Sequence, residues 1–186
     1  MSYLQIPKSM AKMILRIQGQ RNTFYHETIV RSSESPIREI IYNASREKVD
    51  DQDIFEALLS ICEYLSRTTA SSDAEEPVQQ WLFEHTRDIQ ADKWIQKVTI
   101  AESPIKAIKQ VIRFEKNIRS FFKKAKKAMP AYTAQLEVVT VFLDNRISRL
   151  KVMKKTELIN NWNISGSWWA LLESPRIKST HSVYNR

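Results

Sequence analysis

One cysteine, two glycines and three histidines in 186 residues set the first limits on this chain. A lone cysteine makes no internal disulfide and no cysteine-rich zinc site, and His26, His85 and His181 are too scattered to make up for it. Two glycines are far below the usual share of about 7%. That excludes Gly-rich phosphate loops and dinucleotide fingerprints, and it argues against a β-sandwich with its many tight turns. The longest uncharged run, Leu158–Leu172, is too short and too rich in asparagine to span a bilayer. No signal peptide is visible, and Ser2 is incompatible with N-myristoylation. These absences predict a soluble chain of an intracellular, reducing compartment, cytoplasm or nucleus, with no metal and no small-molecule cofactor. The sequons at Asn43 and Asn163 then read as chance matches.

What the chain has is apolar residues, 42% of the total, and an uneven surplus of positive charge. The apolar content predicts a globular chain, and the length suits a single helical domain over 1–186. The net charge of +8 is not spread evenly. Residues 1–70 carry 9 basic and 9 acidic groups, residues 71–104 carry 3 and 7, and residues 105–186 carry 17 and 5. The chain therefore subdivides into a neutral part, 1–70, and an acidic-then-basic part, 71–186. Such asymmetry points to a polyanionic partner, either nucleic acid or an anionic membrane surface.

The apolar spacing predicts an all-α fold, a compact bundle of five to six helices with a Trp-rich C-terminal segment. Met10, Met13, Ile14 and Ile17 mark a first helix over 8–18 that Gly19 ends, and Thr23–Val30 reads as extended. Ser35-Pro36 starts a second, with Ile37, Ile40, Ile41 and Ala44 on its apolar face. A third begins at Asp50 or Asp51 and buries Ile54, Phe55, Leu58, Leu59, Ile61, Cys62 and Leu65. Residues 66–76 are polar and small, the best internal linker. Pro77 opens a fourth helix with Trp81, Leu82, Phe83, Ile89, Trp94, Ile95 and Val98 inside and a break near Ala91-Asp92. Ser103-Pro104 opens a fifth that runs to about Met129, where Pro130 closes it. Residues 132–155 form a sixth, although Val138–Phe142 is β-prone. Residues 160–186 read as a short docked segment followed by a loose tail, 176–186. The repeated Glu-Ser-Pro-Ile at 34–37 and 102–105 is read as a common helix start rather than a duplication.

The strongest constellation lies on the fifth helix. Lys106, Lys109, Arg113, Lys116, Lys123 and Lys127 follow three- and four-residue steps, with Ser120 in the remaining slot. They form one stripe, opposite Val111, Phe114, Ile118, Phe121, Phe122, Ala125 and Met129, and Glu115 is the only acid. Arg146, Arg149, Lys151, Lys154 and Lys155 on the next helix would widen the patch. The pattern predicts a non-catalytic nucleic-acid-binding protein, RNA ahead of DNA, whose cations contact phosphates. Self-association would multiply those contacts, and by analogy such chains include assembly and accessory proteins, viral ones among them. The competing reading is a protein–protein adaptor or membrane-surface assembly protein. The fate of Phe114, Phe121 and Phe122 decides between them: exposed, they suit lipid or a partner groove, and buried, they leave only the charges for partners. Trp162, Trp168 and Trp169 either stack unpaired bases or, more commonly for tryptophan, fill a core or interface.

Nothing in the sequence reads as catalytic. Asp50-Asp51-x-Asp53-x-x-Glu56 is dense enough to suggest metal-assisted phosphoryl chemistry, but it sits at a helix start, where acids cap free amides. Cys62 lies among apolar residues, a setting for packing rather than reactivity. His26 and His85 lack metal-ligand spacing, and no nucleophile elbow is present.

Overall fold

The computed structural model describes residues 6–32, 35–67, 80–82, 84–85 and 89–165, with side chains described except at 35 and 161–165. The regular structure of these residues is helical, without a strand among them. The elements are α1 (Lys8–Arg31), α2 (Ser35–Arg46), α3 (Gln52–Arg67), α4 (Ala91–Thr99), α5 (Pro104–Ala128) and α6 (Thr133–Ser165), with a 3-10 turn at Pro130–Tyr132. The chain is also helical at 80–82 and 84–85.

α1 is longer than its sequence suggests. It passes through Gly19 without a break and takes in Thr23–Val30, so neither the stop nor the extended stretch occurs. The cause lies in its buried face, where Met10, Ile14, Ile17, Arg21, Phe24 and Thr28 follow unbroken three- and four-residue steps. An arginine in one core slot hides that periodicity from a hydropathy reading. Burial of Phe24 and Tyr25 outweighs the roughly 1 kcal/mol that glycine costs inside a helix.

Ser103 caps α5 as expected. Its side-chain oxygen accepts a hydrogen bond from the Lys106 backbone N–H at 3.3 Å, and Pro104 occupies the first helical turn. Met129 leaves helical geometry ahead of Pro130, and the 3-10 turn folds α6 back against α5. α6 then continues ten residues past the expected end, so residues 160–165 belong to it. Val138–Phe142 is helical despite its β propensity, because Val139 and Phe142 reach the core and the Thr140 hydroxyl bonds back to the Leu136 carbonyl. The expected break near Ala91 is real: Gln90 is extended and α4 starts just after it.

α1 packs against α2, α3 and α4, while α5 packs against α6, α4 and α2. One apolar core draws side chains from all six helices, with Phe24, Phe114, Phe122, Met10 and Ile41 among the largest fully buried. Aromatic contacts join distant segments. Phe24 lies 4.0 Å from Phe114, and Phe55 stacks on Phe142 at 4.0 Å between ring centres. In α3, Phe55, Leu58 and Cys62 are buried, Leu59 and Leu65 pack at the core's edge, and Ile54 points outward, contrary to expectation. Trp81 and Trp94 pack half-buried against the core. Of the expected linker 66–76, Ser66 and Arg67 belong to α3; residues 68–76, the Pro77 start, Phe83, Trp168, Trp169 and the tail 176–186 lie outside the described residues, as does the side chain of Trp162.

Candidate nucleic-acid interface

α5 carries nine cations and one acid. Its apolar half is fully committed to the core: Val111, Phe114, Ile118, Phe121, Phe122 and Ala125 are all buried. No phenylalanine of this helix is free to enter lipid or a partner's groove. Lys106, Lys109, Arg113, Lys116, Lys123 and Lys127 are exposed, and Lys124 joins them one turn after Ser120. The single acid, Glu115, is fully buried and faces the opposite way. The exposed face of α5 therefore contains no negative charge at all.

The packing of α5 divides its cations into engaged and unengaged groups. Toward α6, Arg119 pairs with Asp144 and Lys126 with Glu137. At the helix start Lys106 pairs with Glu102, and that bond holds the Glu102 carboxyl below its ordinary range. Lys109, Arg113, Lys116, Lys123, Lys124 and Lys127 form no salt bridge among the described residues. Toward α4 the charge grows instead of being neutralised. A cleft of about 430 Å³ there is lined by Lys97, Lys106, Lys109 and Arg113, with Glu102 as its one acid. Lys97 reaches this flank from α4, its ammonium 4.5 Å from the centre of the Trp94 ring. Lys97 and Lys124 were not singled out in the sequence. Lys124 sits one slot off the strict stripe, and Lys97 arrives only through the packing of α4 on α5.

The second helix contributes less than its sequence implies. Arg146 is 3% exposed and cannot meet a partner. Its Nε donates to Glu115 at 3.1 Å, and its terminal nitrogens donate to the carbonyls of Ala44 and Glu47 at the end of α2. Arg149 is exposed but turns toward Asp50, 3.6 Å away. Lys151 and Lys155 are exposed and Lys154 is half-buried. Lys151 stands seven residues after Asp144, so by helical spacing it lies on the flank that faces α5. Part of the acidic cluster at 50–56 ties the start of α3 to α6: Asn145 donates to Asp51, and Asp50 takes Arg149. Cys62 is buried, and desolvation pushes its thiol up to about 12.

Among the described residues no group of His, Cys, Asp or Glu side chains is gathered to hold a metal ion. None of the described helices is long and apolar enough to cross a membrane. The class these features define is an all-helical bundle with one acid-free cationic helix face. No family model, curated protein or solved structure matches the chain.

Proposed function

We propose that this chain is a non-catalytic nucleic-acid-binding protein that holds phosphates along the exposed face of α5. One observation carries the reading: a 25-residue helix keeps its only acid and all its aromatics inside, and turns only cations and small polar groups outward. From Lys106 to Lys127 the face is about 31 Å long at about 1.5 Å per residue. That length suits several consecutive phosphates of one strand or one side of a duplex groove. Lysine and arginine contacts of this kind fix position without reading sequence, so binding is shape-directed or non-specific. RNA is placed ahead of DNA on the tryptophans that follow the cationic helices in the sequence, since unpaired bases stack on such rings. The burial of Phe114, Phe121 and Phe122 disfavours the membrane-surface alternative.

The test is fluorescence anisotropy with labelled single-stranded RNA, duplex RNA and duplex DNA across a salt series, with anionic vesicles in parallel. Six α5 cations without a salt bridge among the described residues predict a log–log salt slope of about −5 on duplex DNA. Combined reversal of Lys109, Arg113, Lys116 and Lys123 to Glu should abolish binding while circular dichroism stays helical. Absence of binding at low salt would sink the reading and leave a protein partner or self-association as the function to pursue. Binding that survives the reversal with the same slope would place the site elsewhere.

A further inference from the structure

Away from the α5 face, the core holds two guanidiniums and a single carboxylate. Glu115 Oε1 accepts from Arg21 Nε at 2.9 Å, from Arg146 Nε at 3.1 Å and from the Tyr25 hydroxyl at 2.7 Å. Burial, followed by the charge of Glu115, pushes the Tyr25 hydroxyl well above its ordinary range, so it stays neutral and supplies no second negative charge. The cluster therefore carries a net positive charge in a nearly dry setting, where an unbalanced charge is costly.

The two arginines differ in what their outer ends meet. Arg146 spends both terminal nitrogens on the carbonyls of Ala44, in α2, and Glu47, just after it. Arg21 has only a long bond from Nη1 to the Gln18 side chain, 3.4 Å, and its Nη2 meets no acceptor among the described residues. Arg21 lines a cleft of about 380 Å³ between α1, the end of α2, α3 and α6. At the mouth Arg46 and Lys48 are offset by Glu47 and Glu56, so the cleft's excess charge is that of the buried cluster. Arg21 is also held in place. Glu115 fixes its Nε, and its guanidinium lies 5.5 Å from the centre of the Tyr25 ring and 5.3 Å from that of Phe142. The neighbouring wall is apolar, formed by Phe55, Leu59 and Phe142.

We propose that this cleft binds a small molecule bearing an oxyanion, carboxylate or phosphate, with Arg21 taking the oxyanion and Phe55, Leu59 and Phe142 taking its body. A fixed guanidinium whose Nη2 has no acceptor among the described residues, and whose Nη1 has only a long one, can donate to an oxyanion, and burial strengthens the attraction. Gln18 and Asn22 at the rim carry side-chain amides that add donors.

The test is an NMR titration of the full chain with inorganic phosphate, acetate and benzoate, against sodium chloride at matched ionic strength. Saturable shifts at Gln18, Asn22 and Phe55 with phosphate or benzoate but not chloride would support the site. Benzoate stronger than acetate would assign the apolar wall to the ligand's body, and phosphate alone would assign the site to free phosphate. Asn22→Asp is the informative variant, because it keeps the shape of an exposed side chain and sets a negative charge at the rim. It should weaken binding by about tenfold or more while the protein stays folded. The combined reversal on α5 should leave this binding intact, which separates the cleft from the polyanion face. Shifts that stay linear, that chloride reproduces, or that Asn22→Asp does not alter would overturn the proposal.

Discussion

Glu115 is the residue on which sequence and structure diverge most. In the sequence it is the lone acid in a cationic helix. In the fold it is the fully buried carboxylate that joins α1, α5 and α6 through Arg21 and Arg146. Burial alone would raise its carboxyl, but the two guanidinium charges and the Tyr25 hydroxyl outweigh that and hold it below the ordinary range. Removing it leaves two buried cations facing each other, so Glu115→Ala should cost about 3–5 kcal/mol in urea unfolding. The pH dependence follows from the direction of the shift. A depressed carboxyl stabilises the fold above the ordinary glutamate value, about 4.3, and that stability is lost as the pH falls through the lower folded value. Wild type should therefore lose stability on acidification more steeply than Glu115→Gln, which has no such proton to take up. Cys62 gives a second check at this scale. With its thiol pushed up to about 12 and buried, it should resist a disulfide-exchange reagent at neutral pH until the protein unfolds. Arg146 was legible as a cation but not as a buried one. Its partners are Glu115, 31 residues away, and carbonyls about a hundred residues away, and no local pattern announces them.

The helices were easier to read than their ends. Starts at Ser35 and Ser103 and the stop before Pro130 were written in cap chemistry and proline, which act over one turn, whereas Gln90 ahead of Ala91 makes no side-chain cap bond. The failures were long-range. α1 continues because Phe24 and Tyr25 find Phe114 and Glu115 across the core, and those partners lie about ninety residues on. Two substitutions test these elements. Gly19 is exposed mid-helix with nothing within 4 Å of where a methyl group would sit, so Gly19→Ala should stabilise the protein by about 0.5–1 kcal/mol. Were residues 8–31 two segments hinged at Gly19, the same change would be neutral or harmful. Ser103→Ala removes the acceptor for the Lys106 N–H and should cost about 1 kcal/mol, whereas Ser103→Asp should largely preserve stability. Thermal or urea denaturation of each single variant measures both effects.

At the scale of the whole molecule, the charge arrangement works against the fold that carries it. Lys109–Arg113 and Lys123–Lys127 are like-charge pairs four apart, and Arg113–Lys116 is another three apart, each destabilising a helix by about 0.2–0.5 kcal/mol. Elsewhere the molecule neutralises its cations readily, setting Asp144 against Arg119, Glu137 against Lys126 and Glu102 against Lys106. A chain that places acids so well on the flanks, and none on the exposed face, leaves that repulsion standing where a partner would relieve it. Arg113→Glu separates the two influences. It turns the contacts with Lys109 and Lys116 from repulsive to attractive, so the free protein should gain about 0.8–2 kcal/mol at low salt. The same change removes one phosphate contact and adds a repulsion, so nucleic-acid affinity should fall and the salt slope should shrink by about 1. A face kept only for solubility would show the gain in stability with no loss of binding. Opposite signs in the two measurements are what a surface held under strain for a polyanion requires.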